Sequence, residues 1–373
     1  MRIILVLVVL YSSFLVTPFT RCVKADDWPQ WQGPNRDGIW YGEGIIKSIP
    51  VDGPPVLWRV PLAGGYSGPA VVGERLYVAD YMKRDGDLDN NPNNRSLLSG
   101  KERVLCFDTT TGKEIWTYEY DCPYSISYAA GPRCTPTVSD GRVYALGSEG
   151  NFLCLDASNG HLLWQKDFKE AYSAKTPIWG FCGHPLVFDD LVICVVGGEG
   201  SVAVAFDRVS GTERWRALTA SEQGYCPPTL IQSAGVEQLL IWDADNLNSL
   251  EPTTGRSLWS EPLKPMYGMS IMVPQLGRLH GEQVLFASGI GKVGALYALK
   301  NNSPAAEVVW RGEPKNAMYC ANSTPFIEDN TIYGCDCHSG MLTAVDLESG
   351  NRLWETSEPT SGTDRPAKHG TAF

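Results

Sequence analysis

Short apolar runs separated by turn residues recur along the chain, a pattern of buried and half-buried strands. The stretch ending at Trp164 shows the unit. Thr135-Pro136-Thr137-Val138, Arg142-Val143-Tyr144-Ala145-Leu146, Phe152-Leu153-Cys154-Leu155 and Leu162-Leu163-Trp164-Gln165 predict four strands. Ser139-Asp140-Gly141, Glu149-Gly150-Asn151 and Ala157-Ser158-Asn159-Gly160 predict the turns between them, because glycine, asparagine and aspartate take the backbone angles that tight turns require.

The unit repeats. Asp108, Gly112 and Trp116 stand four residues apart in turn, as do Asp156, Gly160 and Trp164, then Asp207, Gly211 and Trp215, and Asp346, Gly350 and Trp354. Glu251, Gly255 and Trp259 form a copy with one extra methylene on the acid, while the copy ending at Trp310 has lost both acid and glycine and carries Pro304. Trp58 looks like the end of a copy whose front is missing. Successive tryptophans lie 44 to 58 residues apart, the period of a propeller blade. The predicted fold is therefore all-β: a β-propeller of four-stranded antiparallel blades, with six complete blades plus partial ones. The motif has a mechanical reading that needs no ligand. The aspartate caps a tight turn, the glycine takes its positive-φ position, and the indole lies on the neighbouring blade.

The runs Cys106-Phe107-Asp108-Thr109-Thr110-Thr111-Gly112-Lys113-Glu114-Ile115-Trp116 and Ala344-Val345-Asp346-Leu347-Glu348-Ser349-Gly350-Asn351-Arg352-Leu353-Trp354 resemble the tryptophan-docking repeat of the quinoprotein alcohol dehydrogenase-like family, the pyrroloquinoline quinone (PQQ)-like repeat propellers. Trp28-Pro29-Gln30-Trp31-Gln32-Gly33-Pro34-Asn35-Arg36-Asp37-Gly38 is similar to the opening of exported, mostly uncharacterised members. The resemblance implies an eight-bladed ring. It also implies either quinone chemistry or a non-catalytic scaffold, since the family contains both. Against that ring the chain is short, and His369-Gly370-Thr371-Ala372-Phe373 looks like the start of a further inner strand, so a C-terminal truncation is expected.

Residues 1–25 have the parts of a secretory signal: Arg2, the apolar run Ile3 to Val16, and Val23-Lys24-Ala25 before the expected cleavage. The run is shorter than the ~20 residues of a spanning helix. Export to the periplasm or beyond is expected, with no transmembrane span after cleavage. Residues 26–55 are read as an N-terminal extension and 56–373 as the propeller. The 31 basic against 42 acidic side chains, a net charge of −11, argue against a nucleic-acid partner. Eleven cysteines cannot be paired from sequence, and Cys106 and Cys154 fall in apolar runs as core residues. Cys335-Asp336-Cys337-His338 has the look of a metal motif, but so compact a strand segment is poorly shaped to surround one tetrahedral ion.

In a propeller the entrances to the inner strands share one face. Tyr66, Tyr128, Trp179, Tyr225, Tyr267 and Tyr319 stand just before those entrances, together with Arg133, His184 and Asn322. One aromatic per blade reads either as a binding surface or as a plug for the channel. Trp179 as a stacking residue, Arg133 as a carboxylate holder and His184 as a base are the parts a PQQ site with calcium would use; the adjacent-cysteine disulfide of alcohol-oxidising relatives is absent. The insertion Tyr81 to Lys101 alternates Asp85, Asp87 and Asp89 as a calcium loop does, but Asn90 and Ser96 replace the expected glycine and glutamate. The expected function is a non-catalytic binding or scaffold propeller for a protein or cell-envelope component. A PQQ-dependent dehydrogenase of alcohols or sugars and a carbohydrate-binding propeller are the alternatives.

Overall fold

The computed structural model describes residues 26–42, 48–89 and 91–362. The expected signal segment and the C-terminal residues from His369 lie outside them. The chain divides into two compact units, Met1–Asp26 with Trp40–Pro54 and Asp27–Ile39 with Pro55–Phe373. In the described part of the first unit, the Gly53 N–H closes a turn on the Pro50 carbonyl at 2.9 Å.

The described residues of the second unit form six antiparallel sheets in sequence order. Blade 1 is β1 (Ala70–Val72), β2 (Arg75–Asp85), β3 (Ser96–Asp108) and β4 (Glu114–Asp121), with β5 (Tyr124–Ile126) added to the start of β3. Blade 2 is β6 (Thr137–Ser139), β7 (Arg142–Leu146), β8 (Asn151–Asp156) and β9 (Leu162–Asp167), and the short helix α1 (Phe168–Tyr172) follows it. Blade 3 is β10 (Leu186–Phe188), β11 (Leu191–Val195), β12 (Ala203–Asp207) and β13 (Glu213–Ala217). Blade 4 is β14 (Thr229–Ser233), β15 (Val236–Trp242), β16 (Asn246–Leu250) and β17 (Ser257–Pro262). Blade 5 is β18 (Gln275–Leu279), β19 (Glu282–Gly289), β20 (Val293–Leu299) and β21 (Ala306–Arg311). Blade 6 is β22 (Phe326–Glu328), β23 (Thr331–Cys335), β24 (Leu342–Asp346) and β25 (Arg352–Thr356).

The repeat works as a joint between blades. The Asp108 carboxylate accepts the N–H groups of Thr110 and Thr111 at 3.1 and 2.7 Å, and Asp156, Asp207 and Asp346 cap their turns in the same way. Each outer strand then carries a β-bulge at the same place, opposite Cys106/Phe107, Cys154/Leu155, Ala205/Phe206, Ser249/Leu250, Leu296/Tyr297 and Ala344/Val345. A bulge re-aims the side chains beside it. Here it brings the tryptophan onto the turn of the next blade. The indole N–H of Trp116 donates to Ala157 O at 3.1 Å, Trp164 to Arg208 O at 3.4 Å, Trp215 to Pro252 O at 3.0 Å, and Trp310 to Leu347 O at 3.0 Å. Trp58, which precedes β1 and lies in no strand, does the same to Thr109 O at 2.7 Å. At Gly160, φ is +76° and a Cβ would stand 2.5 Å from the Trp116 ring, so the turn needs glycine for both its conformation and its contact.

Two tryptophans depart from this scheme. The degenerate turn of blade 5 offers Trp259 no such carbonyl, and its indole donates to Gln238 Oε1 of its own blade at 2.8 Å. Trp354 is 45% exposed and packs on Tyr333 of its own blade.

The insertion is more ordered than a solvated loop. β2 and β3 continue through most of it as a long hairpin, leaving only the tip near Gly86 to Arg95 outside the ladder. The hairpin is pinned across blades by Arg95, which donates to Thr176 O at 2.9 Å and to Ser125 O.

Candidate functional site

The first strands of blades 1, 2 and 3 lie side by side, as do those of blades 5 and 6, and in a propeller these strands line the axis. The segment 27–39, part of the stretch 26–55 read from sequence as an extension, runs along the free edge of β1 and β6. Trp28 exchanges backbone hydrogen bonds with Val71 of β1 at 2.8 Å in both directions, and Pro29 O accepts the N–H of Val138 in β6 at 2.8 Å. Trp31 then packs against the apolar core shared by blades 4 to 6 and stacks on His184 at the entrance to β10, with centroids 4.8 Å apart and planes 8° apart. Arg36 is buried, donates to Pro185 O at 2.9 Å and His184 O at 3.2 Å, and stands 5.7 Å from the Trp31 ring. This segment plugs the inner side of blades 1 to 3. The Arg36 partner Pro185 lies 149 residues away in sequence, so no local signal reports it.

His184 is a packing residue in this setting. Its Nδ1 accepts the Thr135 N–H at 2.9 Å, and burial, helped by the Arg36 charge, lowers its pKa to about 3. A neutral imidazole already stacked on an indole is not placed as a base for an incoming alcohol.

Arg133 acts as a backbone staple. It donates to Trp179 O, Ser127 O and Tyr128 O at 2.8 Å each, and also to Gly131 O and Ser148 Oγ. Tyr128, at φ +48°, turns its carbonyl toward that guanidinium. The Tyr66 ring covers the guanidinium at 5.2 Å.

The aromatic positions divide into two groups. Tyr225 and Tyr319 are 4% and 1% exposed, so they pack inside the fold instead of facing a ligand. Tyr66 and Tyr267 are 53% and 72% exposed, Tyr128 and Trp179 are half-buried, and Trp179 leans on Tyr225 at 5.5 Å. Asn322 is exposed.

The remaining sequence candidates are occupied by structure. Asp336 Oδ1 caps its turn through the N–H groups of His338 and Ser339 at 2.9 Å, and Oδ2 takes Arg352 at 3.0 Å. Of the ten cysteines among the described residues, all but Cys182 are buried. Among the described residues no three His, Cys, Asp or Glu side chains come together to hold a metal ion. A quinone with its calcium ion needs oxygen ligands around the ion and an open flat face, whereas Trp31, His184, Arg36 and Arg133 are engaged with one another or with backbone. Arg133 and His184, two of the three parts expected of such a site, are thus committed elsewhere and do not fit that group, while Trp179 is half-buried against Tyr225.

Sequence reading missed one further cluster. Glu102, 2% exposed, accepts hydrogen bonds from Tyr120, Tyr124 and the Ser148 N–H, the last at 2.9 Å. Burial raises its pKa in spite of these bonds. The side chains join β3, β4 and β5 to the β7–β8 turn of blade 2. The charged run Lys101-Glu102-Arg103 in sequence gave no hint of them.

Blades joined by a capped turn, a glycine and a docking tryptophan define a PQQ-like repeat β-propeller. A family model described as outer membrane protein assembly factor BamB matches residues 43–167 and 100–356, and the chain belongs to that family. The assembly factor BamB of Shewanella oneidensis is 26% identical over 239 residues, which span 60% of this chain and 56% of that protein. The dehydrogenase subunit of a quinone alcohol dehydrogenase from Komagataeibacter europaeus is 32% identical over 125 residues, 30% of this chain and 16% of that one. The chain thus matches little more than half of the first relative and a small part of the second. Among solved structures, BamB from Moraxella catarrhalis is similar with a TM-score of 0.49 at 16% identity, over 81% of this chain and 91% of that one.

Proposed function

We propose that this protein is an exported, non-catalytic scaffold whose aromatic face binds a protein or other component of the cell envelope. The observation that carries the reading is the filled inner side: Trp31 and Arg36 take up His184 and the β10 entrance, where a cofactor site would need open side chains. Exposed Tyr66 and Tyr267, with half-buried Tyr128 and Trp179, remain to meet a partner. Relatives named as outer membrane protein assembly factors support this reading over the dehydrogenases, whose match covers less of the chain. No helix among the described residues is long and apolar enough to cross a membrane.

The test is site-specific photocrosslinking in cells. A benzophenone amino acid at Tyr66 or Tyr267 is expected to capture the same envelope component, and one at the outer-strand residue Leu163 is not. Equal labelling from all three positions, or none from the tyrosines, sinks the aromatic-face assignment.

A further inference from the structure

The residue ahead of the docking glycine carries a hydroxyl in every such turn but one. Thr111, Ser210, Thr254 and Ser349 turn that hydroxyl back onto the acid of the motif, to Asp108 at 2.7 Å, Asp207 at 2.9 Å, Glu251 at 2.6 Å and Asp346 at 2.5 Å. Blade 2 departs from this. Its hydroxyl stands one place earlier, on Ser158, which bonds Asp156, and Asn159 precedes Gly160. Asn159-Gly160 is the only Asn-Gly pair in the sequence.

Asparagine before glycine is the pair most open to deamidation, because glycine has no side chain to obstruct attack of its own backbone nitrogen on the asparagine amide carbon. Ser158 and Asn159 are exposed, so water reaches the amide, while Gly160 is buried under the Trp116 ring. The closed turn engages both reacting groups. The Gly160 N–H donates to Asp156 O at 2.8 Å, and Asn159 Oδ1 accepts the His161 N–H at 2.9 Å. Attack requires the Gly160 nitrogen to leave Asp156 O. The Trp116 ring opposes that movement, since it lies on Gly160 and its indole N–H is tied to Ala157 O at 3.1 Å.

We propose that Asn159 is a deamidation site of the folded protein, gated by opening of the joint between blades 1 and 2. The Gly160 nitrogen gives its proton to solvent and attacks Asn159 Cγ. A C–N bond forms, the bond from Cγ to the amide nitrogen breaks, and that nitrogen takes a proton from water and leaves as ammonia. A water molecule then opens the succinimide at one of its two carbonyls, giving aspartate or isoaspartate with no change of oxidation state. Both products act on the turn. Aspartate adds a second carboxylate to a turn already capped by Asp156, and like charges repel. Isoaspartate adds a carbon to the backbone inside the loop that the Asp156 N–H closes on His161 O at 2.9 Å. A closed joint therefore protects the site, and a converted site loosens the seat of Trp116.

The test is incubation of the full-length mature protein at mildly alkaline pH, followed by peptide mapping with mass spectrometry and assay of released ammonia. Conversion is expected at Asn159 ahead of every other asparagine. Its rate is expected to rise with urea below the unfolding transition, as an opening that exposes surface does. Trp116→Phe, which keeps a ring and loses the hydrogen bond to Ala157 O, is expected to speed conversion about fivefold, the population shift from one ordinary hydrogen bond. Asn159→Ser, the residue type that blades 3 and 6 carry at this place, is expected to abolish conversion in that peptide and to keep the thermal midpoint. The converted fraction, separated by anion exchange through its added charge, is expected to melt below the intact protein. No conversion of the folded chain while the urea-unfolded chain converts, faster conversion at another asparagine, or an unchanged midpoint of the converted fraction overturns the proposal. So does a rate independent of urea, a measurement on the native sequence that decides even where Trp116→Phe fails to fold.

Discussion

Replacing Gly160 with alanine tests the blade joint at one atom. Two effects act there. Alanine at φ +76° pays the left-handed penalty of about 1–2 kcal/mol, and the new Cβ would stand 2.5 Å from the Trp116 ring. An indole held by its hydrogen bond to Ala157 O at 3.1 Å and buried on both faces must shift to make room, an overpacking cost of about 1–3 kcal/mol. Gly141→Ala is the control, because its φ is +73° and nothing lies within 4 Å of the added methyl. The backbone penalties cancel in the comparison, so Gly160→Ala should be less stable than Gly141→Ala by about 1–3 kcal/mol. Urea denaturation followed by tryptophan fluorescence and circular dichroism measures the difference. Equal losses within about 0.5 kcal/mol, the usual spread of surface substitutions, would refute the docking argument.

Three further outcomes follow from other sites. Gln238→Leu removes the acceptor of the buried Trp259 indole and should cost about 1–3 kcal/mol in the same denaturation experiment, since the N–H is left unsatisfied. Glu102 is held above its ordinary range by burial, so the folded state binds more protons than the unfolded one as pH rises from 4.5, and stability falls over that interval. Glu102→Gln, which keeps hydrogen bonding to Tyr120 and Tyr124, should lessen this fall in melting temperature between acid and neutral pH. His184 acts in the opposite sense: with its pKa lowered from 6.5 to about 3, its contribution is complete above pH 6.5 and is lost as pH falls toward 3. His184→Asn should therefore flatten the acid limb of the stability profile, and an unchanged limb would contradict the neutral assignment.

The blades were legible in the sequence because one physical task recurs at a fixed spacing. The strands read around Trp164 form within a few residues of their expected bounds, and the capped turns at Asp108, Asp156, Asp207 and Asp346 have the hydrogen bonds that residue type suggests. Where the turn lost its glycine, the partner of Trp259 could not be read, because Gln238 has no marker in its own strand. Strand alternation also could not separate Tyr319 from Tyr267: both precede an inner strand, yet one is 1% and the other 72% exposed. The segment 27–39 was hidden for another reason. Its arginine has a local contact, Arg36 Nη1 to Gln30 Oε1 at 3.3 Å, but the contacts that give it a role are to a blade distant in sequence.

The proposed scaffold role requires that the inner side of this propeller, along which the segment 27–39 runs, carry no quinone chemistry. Equilibrium dialysis of the full-length mature protein against pyrroloquinoline quinone and calcium, with dye-linked oxidation of alcohols and sugars on the retained sample, tests it most directly. The account predicts no stoichiometric retention of the quinone and no turnover above the dye blank. One quinone retained per chain, with substrate-dependent dye reduction, would contradict it.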